Sequence, residues 1–416
     1  MPEPTKLQAQ VSAEDAALIE VGIQNCPFAK RGHYALGDFA LQEKKNEVNT
    51  ATINSGQAFT FEIDKEGTVL KQLSLHFIAP ALTGLVTGAP TFARYADFGA
   101  LQCLSFDSPI QYMYGSSKVM EVHPDQIFSD YNLLDPAPKQ NNAYLLGGEL
   151  TQAQRNTKAL APQEFVVKLP TPWDGEGNEL PICALANKIK ITGRFAPAAQ
   201  AIQTDGTKPL TIPYSGVYMR YVLGHVSGYD REEIAAPTFD SEGVFTLFSE
   251  TLRISKPVVA DSLNVVNGIG LGLDLNDFTG PIRQVRGLLR TREQMDISQQ
   301  SPAFYEIDTS YLNNLFYQVR ASDKSLFEVT RPNYEQLLQL DSQYKCESAI
   351  RQIRCWWDYK PTMPDCASGH ITLGNFNNSR LYLRNTSSHP DLDVTLLAYR
   401  WNWSNTVNGT YQSIWK

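Results

Sequence analysis

A chain of 416 residues is too long for one ordinary domain and long enough for two or three. Hydrophobic residues make up 42% and charged residues 19%, a balance that builds sizeable cores and excludes a disordered tail. The formal net charge of -8 argues against a protein that coats nucleic acid by broad neutralisation of phosphates.

The first ten residues are polar and hold no apolar signal core, so the chain is expected to be made in the cytoplasm. A short amphipathic helix is predicted next. Ser12 caps it, Glu14 and Asp15 suit its positive end, and Ala16, Ile19, Ile23 and Cys26 recur at helical spacing before Pro27 stops it. Two uses stay open for it: packing on its own domain, or serving as an arm that turns Ile19 and Ile23 toward a neighbour or a membrane.

Beyond Gly32 the dominant period is two. Phe59, Phe61 and Ile63 alternate with polar residues, as do Leu73, Leu75 and Phe77. Ile110-Tyr112-Tyr114, Ile189-Ile191 and Val217-Met219-Tyr221-Leu223 continue the habit. It returns at Ile269-Leu271-Leu273-Leu275, Ile371-Leu373 and Leu397-Tyr399-Trp401-Trp403. Such runs are half-buried strands, punctuated here by Gly, Pro, Asn and Asp, and predict a mostly β protein of sandwich type. Two connections are unusually long, residues 124–162 and 291–304, and connections of that length carry function or small elements of their own. A helix is expected after Pro332 with Leu337, Leu340 and Tyr344 on one face. The charged, then Ala/Pro-rich stretch at 231–240 is the expected linker. It divides the chain into an arm at 1–31, a first domain at 32–230 and a second at 241–416.

The search for chemistry assigns no catalytic residue, cofactor or metal ligand. The six histidines lie far apart without HxH, HxxxH or HExxH spacing. No nucleophile elbow, phosphate loop or dinucleotide fingerprint occurs. A glycosidase-type carboxylate pair stays open, because such pairs meet only in space. The six cysteines form no CxxC and are expected to be free thiols. Trp356 and Trp357 are neighbours on a predicted strand, so one should be core and the other exposed or in a subunit contact. Trp401 and Trp403 are interface candidates on the same grounds.

The most informative stretch is Phe165-Val-Val-Lys-Leu-Pro-Thr-Pro-Trp173, followed by Leu180-Pro-Ile-Cys-Ala-Leu-Ala-Asn-Lys-Ile-Lys-Ile-Thr-Gly-Arg-Phe195. It resembles the closing part of the first roll in double jelly-roll major capsid proteins, and most of all those of tailless, membrane-containing icosahedral phages. Val217-Tyr-Met-Arg-Tyr-Val-Leu223 and Gly369-His-Ile-Thr-Leu-Gly-Asn-Phe-Asn-Asn-Ser-Arg380 are similar to later family segments, the second interrupted by Asn377 and Asn378. The resemblance implies two tandem jelly rolls with a short N-terminal helix and a few short helices in loops. It implies a homotrimer whose six rolls make a pseudo-hexagonal capsomer, in contact with neighbouring trimers and with minor capsid and vertex proteins. In some relatives an internal membrane lies beneath the shell, apart from the genome. Residues 124–162 would then be an outer tower or a clasp between subunits. A carbohydrate- or receptor-binding sandwich, such as a viral spike or lectin, is the competing reading.

Overall fold

The computed structural model describes residues 40–47, 52–134, 136–173, 180–225, 235, 244–264, 270–307, 315–322, 324–329, 352–357, 369–376 and 378–413. The expected N-terminal helix with Ile19 and Ile23, most of the linker and the helix expected after Pro332 lie outside them.

Alternating side chains dictate the architecture, since every second residue of a strand needs a core. The first half supplies β1 (Ala40–Glu47), β2 (Thr52–Asn54), β3 (Ala58–Glu62), β4 (Val69–Ala79), β5 (Ala93–Tyr95), β6 (Ile110–Tyr114) and β7 (Ser117–Val122). It continues with β8 (Gln163–Leu169), β9 (Ile189–Arg194), β10 (Ile202–Thr204) and β11 (Pro213–His225). One antiparallel sheet runs β1-β11-β4-β8, with β2 also on β11, and a second runs β3-β9-β6-β7. With β1 and β2 counted as one strand and the β5–β10 pair set aside, the orders are first-eighth-third-sixth and second-seventh-fourth-fifth. That winding is a jelly roll.

The second half repeats it. Its strands are β12 (Val244–Val258), β13 (Leu271–Asp274), β14 (Ile282–Thr291), β15 (Leu315–Ala321), β16 (Lys324–Val329), β17 (Ile353–Trp356), β18 (Arg380–Asn385) and β19 (Leu392–Val407). The sheets are β12-β19-β14-β17 and β13-β18-β15-β16, with β20 (Thr410–Ser413) folded back on β19. The order of strands matches that of the first roll.

In the first roll Leu73, Leu75 and Phe77 of β4 point inward onto Phe59, Phe61, Ile189, Ile191 and Met219, all buried in one cluster. Ile191 is fully buried on β9, whereas Lys190 beside it points out and pairs with Glu62 at 3.0 Å. Ile191→Ala should therefore cost about 2–5 kcal/mol and Lys190→Ala less than about 0.5 kcal/mol. Urea titrations of the two variants check this. Equal costs would mean that the strand faces have been exchanged.

Among the described residues six short α-helices decorate the rolls: α1 (Gly99–Gln102), α2 (Pro124–Tyr131), α3 (Pro136–Leu146), α4 (Gln152–Lys158), α5 (Ala198–Ala201) and α6 (Arg292–Met295). Three of them occupy the connection at 124–162, which thus carries small elements of its own. Pro124 opens α2 at a position where its missing N–H is no loss, and Asp125 suits the first turn. A reciprocal Thr151–Gln154 capping box starts α4. α3 ends at Gly147, which has φ of +67°, and a Cβ there would lie 2.6 Å from the Phe165 ring. At Gly148 a Cβ would meet the Phe98 ring at 2.4 Å, so both glycines are required for the helix to lie against the roll.

Two expectations need correction. Ile371-Leu373 is not a strand: Ile371 makes one bridge to Ile282, and Leu373–Asn375 turns as a 3-10 helix whose Leu373 carbonyl accepts the Ser379 hydroxyl. On β19 the alternating set 397-399-401 does not point into its own roll. Leu392, Val394, Leu396 and Ala398 fill the second roll's core, while Leu397 and Tyr399 on the opposite side join the first roll's cluster. Both sides of this strand are buried, so alternation alone cannot say which one faces home.

Candidate functional site

The second side of β19 identifies the place where this chain spends buried polar chemistry: the seam between the rolls. On β14 the outward residues are Gln284, Arg286, Leu288 and Arg290, and all four are buried. An arginine-bearing sheet side is buried only if carboxylates meet it. Helix α2 of the first roll supplies them.

Asp125, 1% exposed, accepts from Arg290 Nη1 and from Arg253 Nε, each at 2.8 Å. Arg290 also donates to Thr395 Oγ1, and both guanidiniums lie over the Phe106 ring, at 5.2 Å for Arg290 and 3.9 Å for Arg253. Burial alone would raise the Asp125 carboxyl, but the two arginines hold it below its ordinary value. One turn further along α2, Asp130 accepts from Arg286 Nη1 at 2.6 Å and from the Tyr399 hydroxyl at 2.9 Å, while Arg286 stacks on the Tyr399 ring at 3.9 Å. Ser129 donates to Gln352 Oε1 at 2.7 Å and accepts from Arg286 Nη1 at 3.2 Å.

A second clasp uses the connection at 291–304 and the residues just after it. Gln102 and Gln203 of the first roll donate to the Pro302 carbonyl at 3.1 and 3.0 Å, and the Phe304 N–H donates to Gln102 Oε1 at 3.2 Å. Glu306 accepts from Arg155 and, at 3.0 Å, from Gln203. Lys208 donates to the Ala199 carbonyl of its own roll at 3.0 Å and the Gln299 carbonyl of the other at 2.6 Å. A third contact lies at the chain's far end, where the Ala186 N–H and the Tyr114 hydroxyl both donate to the Gly409 carbonyl in the β19–β20 turn.

Asp97 lies beside the Glu306 clasp and accepts the Leu150 N–H at 3.3 Å. Burial pushes its pKa up to about 6, with Arg155 pulling the other way. A carboxyl raised in the folded state stabilises fully below its unfolded value near 3.8 and loses that contribution as pH rises through about 6. Asp97→Asn should thus gain stability relative to wild type between about pH 4 and 6 and hold a constant lead above it. Paired melts across that range check the sign. His123, pushed down to about 4 by burial and then by Arg253, titrates in the same window with the opposite effect, so the comparison must be made at matched pH.

The tryptophans fall differently from expectation. Trp401 is fully buried in its own chain, with Arg283 over its ring at 4.4 Å and its Nε1 donating to the Gly369 carbonyl at 3.4 Å. It has no surface to offer another subunit. Trp356 and Trp357 are both half-buried, and both rings approach Phe327, at 5.0 and 6.4 Å. Trp357 continues the inward side of Ile353 and Cys355 and packs against the second roll's core, while Trp356 lies on the other side with Arg354 over its ring at 5.2 Å; the Trp357 N–H donates to the Arg283 carbonyl at 2.9 Å. The side chain of Trp403 lies outside the described residues. Cys103, Cys183 and Cys355 are free thiols, and the remaining three cysteines lie outside the described residues.

Among the described residues no group of three His, Cys, Asp or Glu side chains is placed to hold a metal ion. A cleft of about 420 Å³ at one end of the first roll is lined by residues such as Leu82, Val86, Phe92, Asn156 and Leu160. Its lining contains no titratable side chain, so it offers no acid pair to a glycosidic bond.

No protein-family model matches this sequence, and no curated protein does. Solved structures do match its fold. PBCV-1 VP54 superposes with a TM-score of 0.71 at 12% identity, over 91% of this chain and 97% of that one. The Faustovirus major capsid protein gives 0.64 at 10% identity over 96% and 99%. The STIV major capsid protein gives 0.51 at 11% identity over 87% and 97%. This chain has the double jelly-roll fold. The matches span nearly the whole length of each of these neighbours.

Proposed function

We propose that the protein is a structural major capsid protein, not an enzyme, and that three copies form a pseudo-hexagonal capsomer in an icosahedral shell. The observation that carries this reading is the pairing of two complete, identically wound rolls through a buried seam. Two similar blocks locked side by side give a subunit a two-lobed footprint, and three such subunits complete a six-lobed tile. A buried ionic seam suits a building block, because any shifted arrangement would strand charges without partners. The double jelly-roll likeness along nearly the whole of three capsid proteins supports the same role. The protein would be made in the host cytoplasm and reside in the virion. Its partners would be its own copies, minor capsid and vertex proteins, and in a membrane-containing particle the lipid beneath.

Light scattering at micromolar concentration tests the reading, with a mass three times the 46.5 kDa chain expected. A monomer at every salt concentration would overturn it in favour of a carbohydrate- or receptor-binding sandwich. The N-terminal arm has its own test. With Ile19 and Ile23 facing a neighbouring trimer or lipid, deleting residues 1–26 should leave trimers with an unchanged melting temperature but impair shell assembly. Unfolding of the truncated trimer would place the arm in the first roll's core instead.

A further inference from the structure

The cleft at the end of the first roll takes no part in joining the rolls. One of its walls is the connection from β4 to β5, and the other is the last turn of α4 with the residues just after it. Both walls are fixed. The Leu82 N–H donates to the Ala159 carbonyl at 2.9 Å and ties one wall to the other. Thr87 and Thr207 exchange backbone hydrogen bonds at 3.2 and 2.8 Å, which pins the first wall to the connection between β10 and β11. From that same connection the Asp205 carboxylate accepts the N–H groups of Thr91 and Phe92, at 2.9 and 3.2 Å, together with the Thr91 hydroxyl. A loop held at so many points presents a formed cleft, and little of a ligand's binding energy would be spent on ordering it.

The lining decides what fits. A volume of about 420 Å³ falls within the range of small-molecule sites, and no charged side chain lines it. Two basic residues beside the lining in sequence are committed elsewhere. Arg94 lies over the Phe92 ring at 4.7 Å and donates to Gln203 Oε1 and Asn156 Oδ1, and Lys158 lies over the Tyr144 ring at 5.2 Å. A charged ligand would lose its water here with nothing to replace it. A wholly apolar ligand would strand the Asn156 amide and the threonine hydroxyls. What fits is a neutral molecule with an apolar face and several hydroxyls. Arg94 occupies the Asn156 oxygen at 3.3 Å and so leaves Nδ2 as the donor for a ligand. Phe92 is half-buried, with the guanidinium on one side of its ring, and Leu82, Val86 and Leu160 add aliphatic surface. A sugar ring matches this lining, because its C–H groups pack on aromatic and aliphatic side chains while its hydroxyls bond to amides and hydroxyls.

We propose that this cleft binds a neutral pyranose, seated on Phe92 and held through Asn156 Nδ2, with the hydroxyls of Thr83 and Thr157 as further partners. No acid pair accompanies it, so the sugar is bound and not cleaved. The site gives the chain a recognition function besides building a shell, and it does not depend on how many copies assemble.

The test titrates the full chain with the methyl glycosides of glucose, galactose, mannose and fucose, followed by saturation-transfer NMR. Glucuronate and hexanol serve as charged and apolar comparisons. At least one neutral glycoside should bind with a Kd of about 0.1–10 mM. Phe92→Leu keeps apolar volume but removes the ring, and should weaken that binding about tenfold. Thr83→Trp, at an exposed position of the lining, should fill the cleft and abolish binding. Both variants should keep the melting temperature within a few degrees. No binding of any of these glycosides up to about 50 mM, binding that either variant leaves unchanged, or tighter binding of glucuronate or hexanol would overturn the proposal.

Discussion

Asp125→Ala should lower the unfolding free energy by about 3–5 kcal/mol. The carboxylate is 1% exposed and is the shared acceptor of Arg290 and Arg253, one on β14 and one on β12. Its removal leaves two guanidiniums in the seam without a counter-charge, and Arg290 is itself fully enclosed. The cost arises from the stranded charges rather than from a lost attraction. A triple variant that also replaces both arginines with apolar residues should recover much of it. The pH dependence has a definite sign. A carboxyl held below its ordinary value contributes stability above pH 3.8 and loses it as pH falls through the depressed folded-state value. Wild type and Asp125→Ala should therefore converge in strong acid, separate as pH rises toward about 4 and keep a constant difference above it, which chemical denaturation at a series of pH values will measure.

Phe195→Ala should cost about 3–5 kcal/mol by a different mechanism, an apolar cavity. The ring is fully buried, with centroids 4.4 Å from Tyr214, 5.1 Å from Phe77 and 5.2 Å from Phe59. Phe165 reaches the same centre through Phe77 at 5.5 Å, so both ends of the most informative stretch in the sequence meet in one aromatic knot. Phe195→Leu, which refills most of the volume, should cost roughly half as much or less. Equal losses for alanine and leucine would point to the aromatic geometry rather than to volume as the source of the stability.

Much of the fold was legible because half-buried strands declare themselves. Ile189 and Ile191 point in and Lys188 and Lys190 point out, as the alternation at 188–191 required. The stretch from 165 to 195 was informative for a reason the structure makes plain: it is one continuous passage from the sixth strand through a buried Trp173 and Leu180 to the seventh. The helices at 124–162 were not legible as helices. Their apolar content is low because one side of α2 meets arginines instead of a core.

The seam was legible only in part. In Ile282-Arg-Gln-Val-Arg-Gly-Leu-Leu-Arg290, Arg286, Leu288 and Arg290 share a strand side, and a leucine between two arginines is a sign that the side is covered. Alternation cannot tell a covered polar side from a wet one, because both place charges at every second residue. The same ambiguity turned Leu397 and Tyr399 into expected core residues of their own roll when they are core residues of the other. Trp401 is an interface candidate by its sequence, yet a cation over its ring and a carbonyl at its Nε1 satisfy it within the chain.

The most direct measurement is a set of averaged electron micrographs of the purified, unmodified protein in negative stain. The account predicts one particle class with a six-lobed, near-hexagonal outline viewed down its axis and two lobes contributed by each subunit. Isolated two-lobed particles, or rings with any other number of lobes, would contradict it.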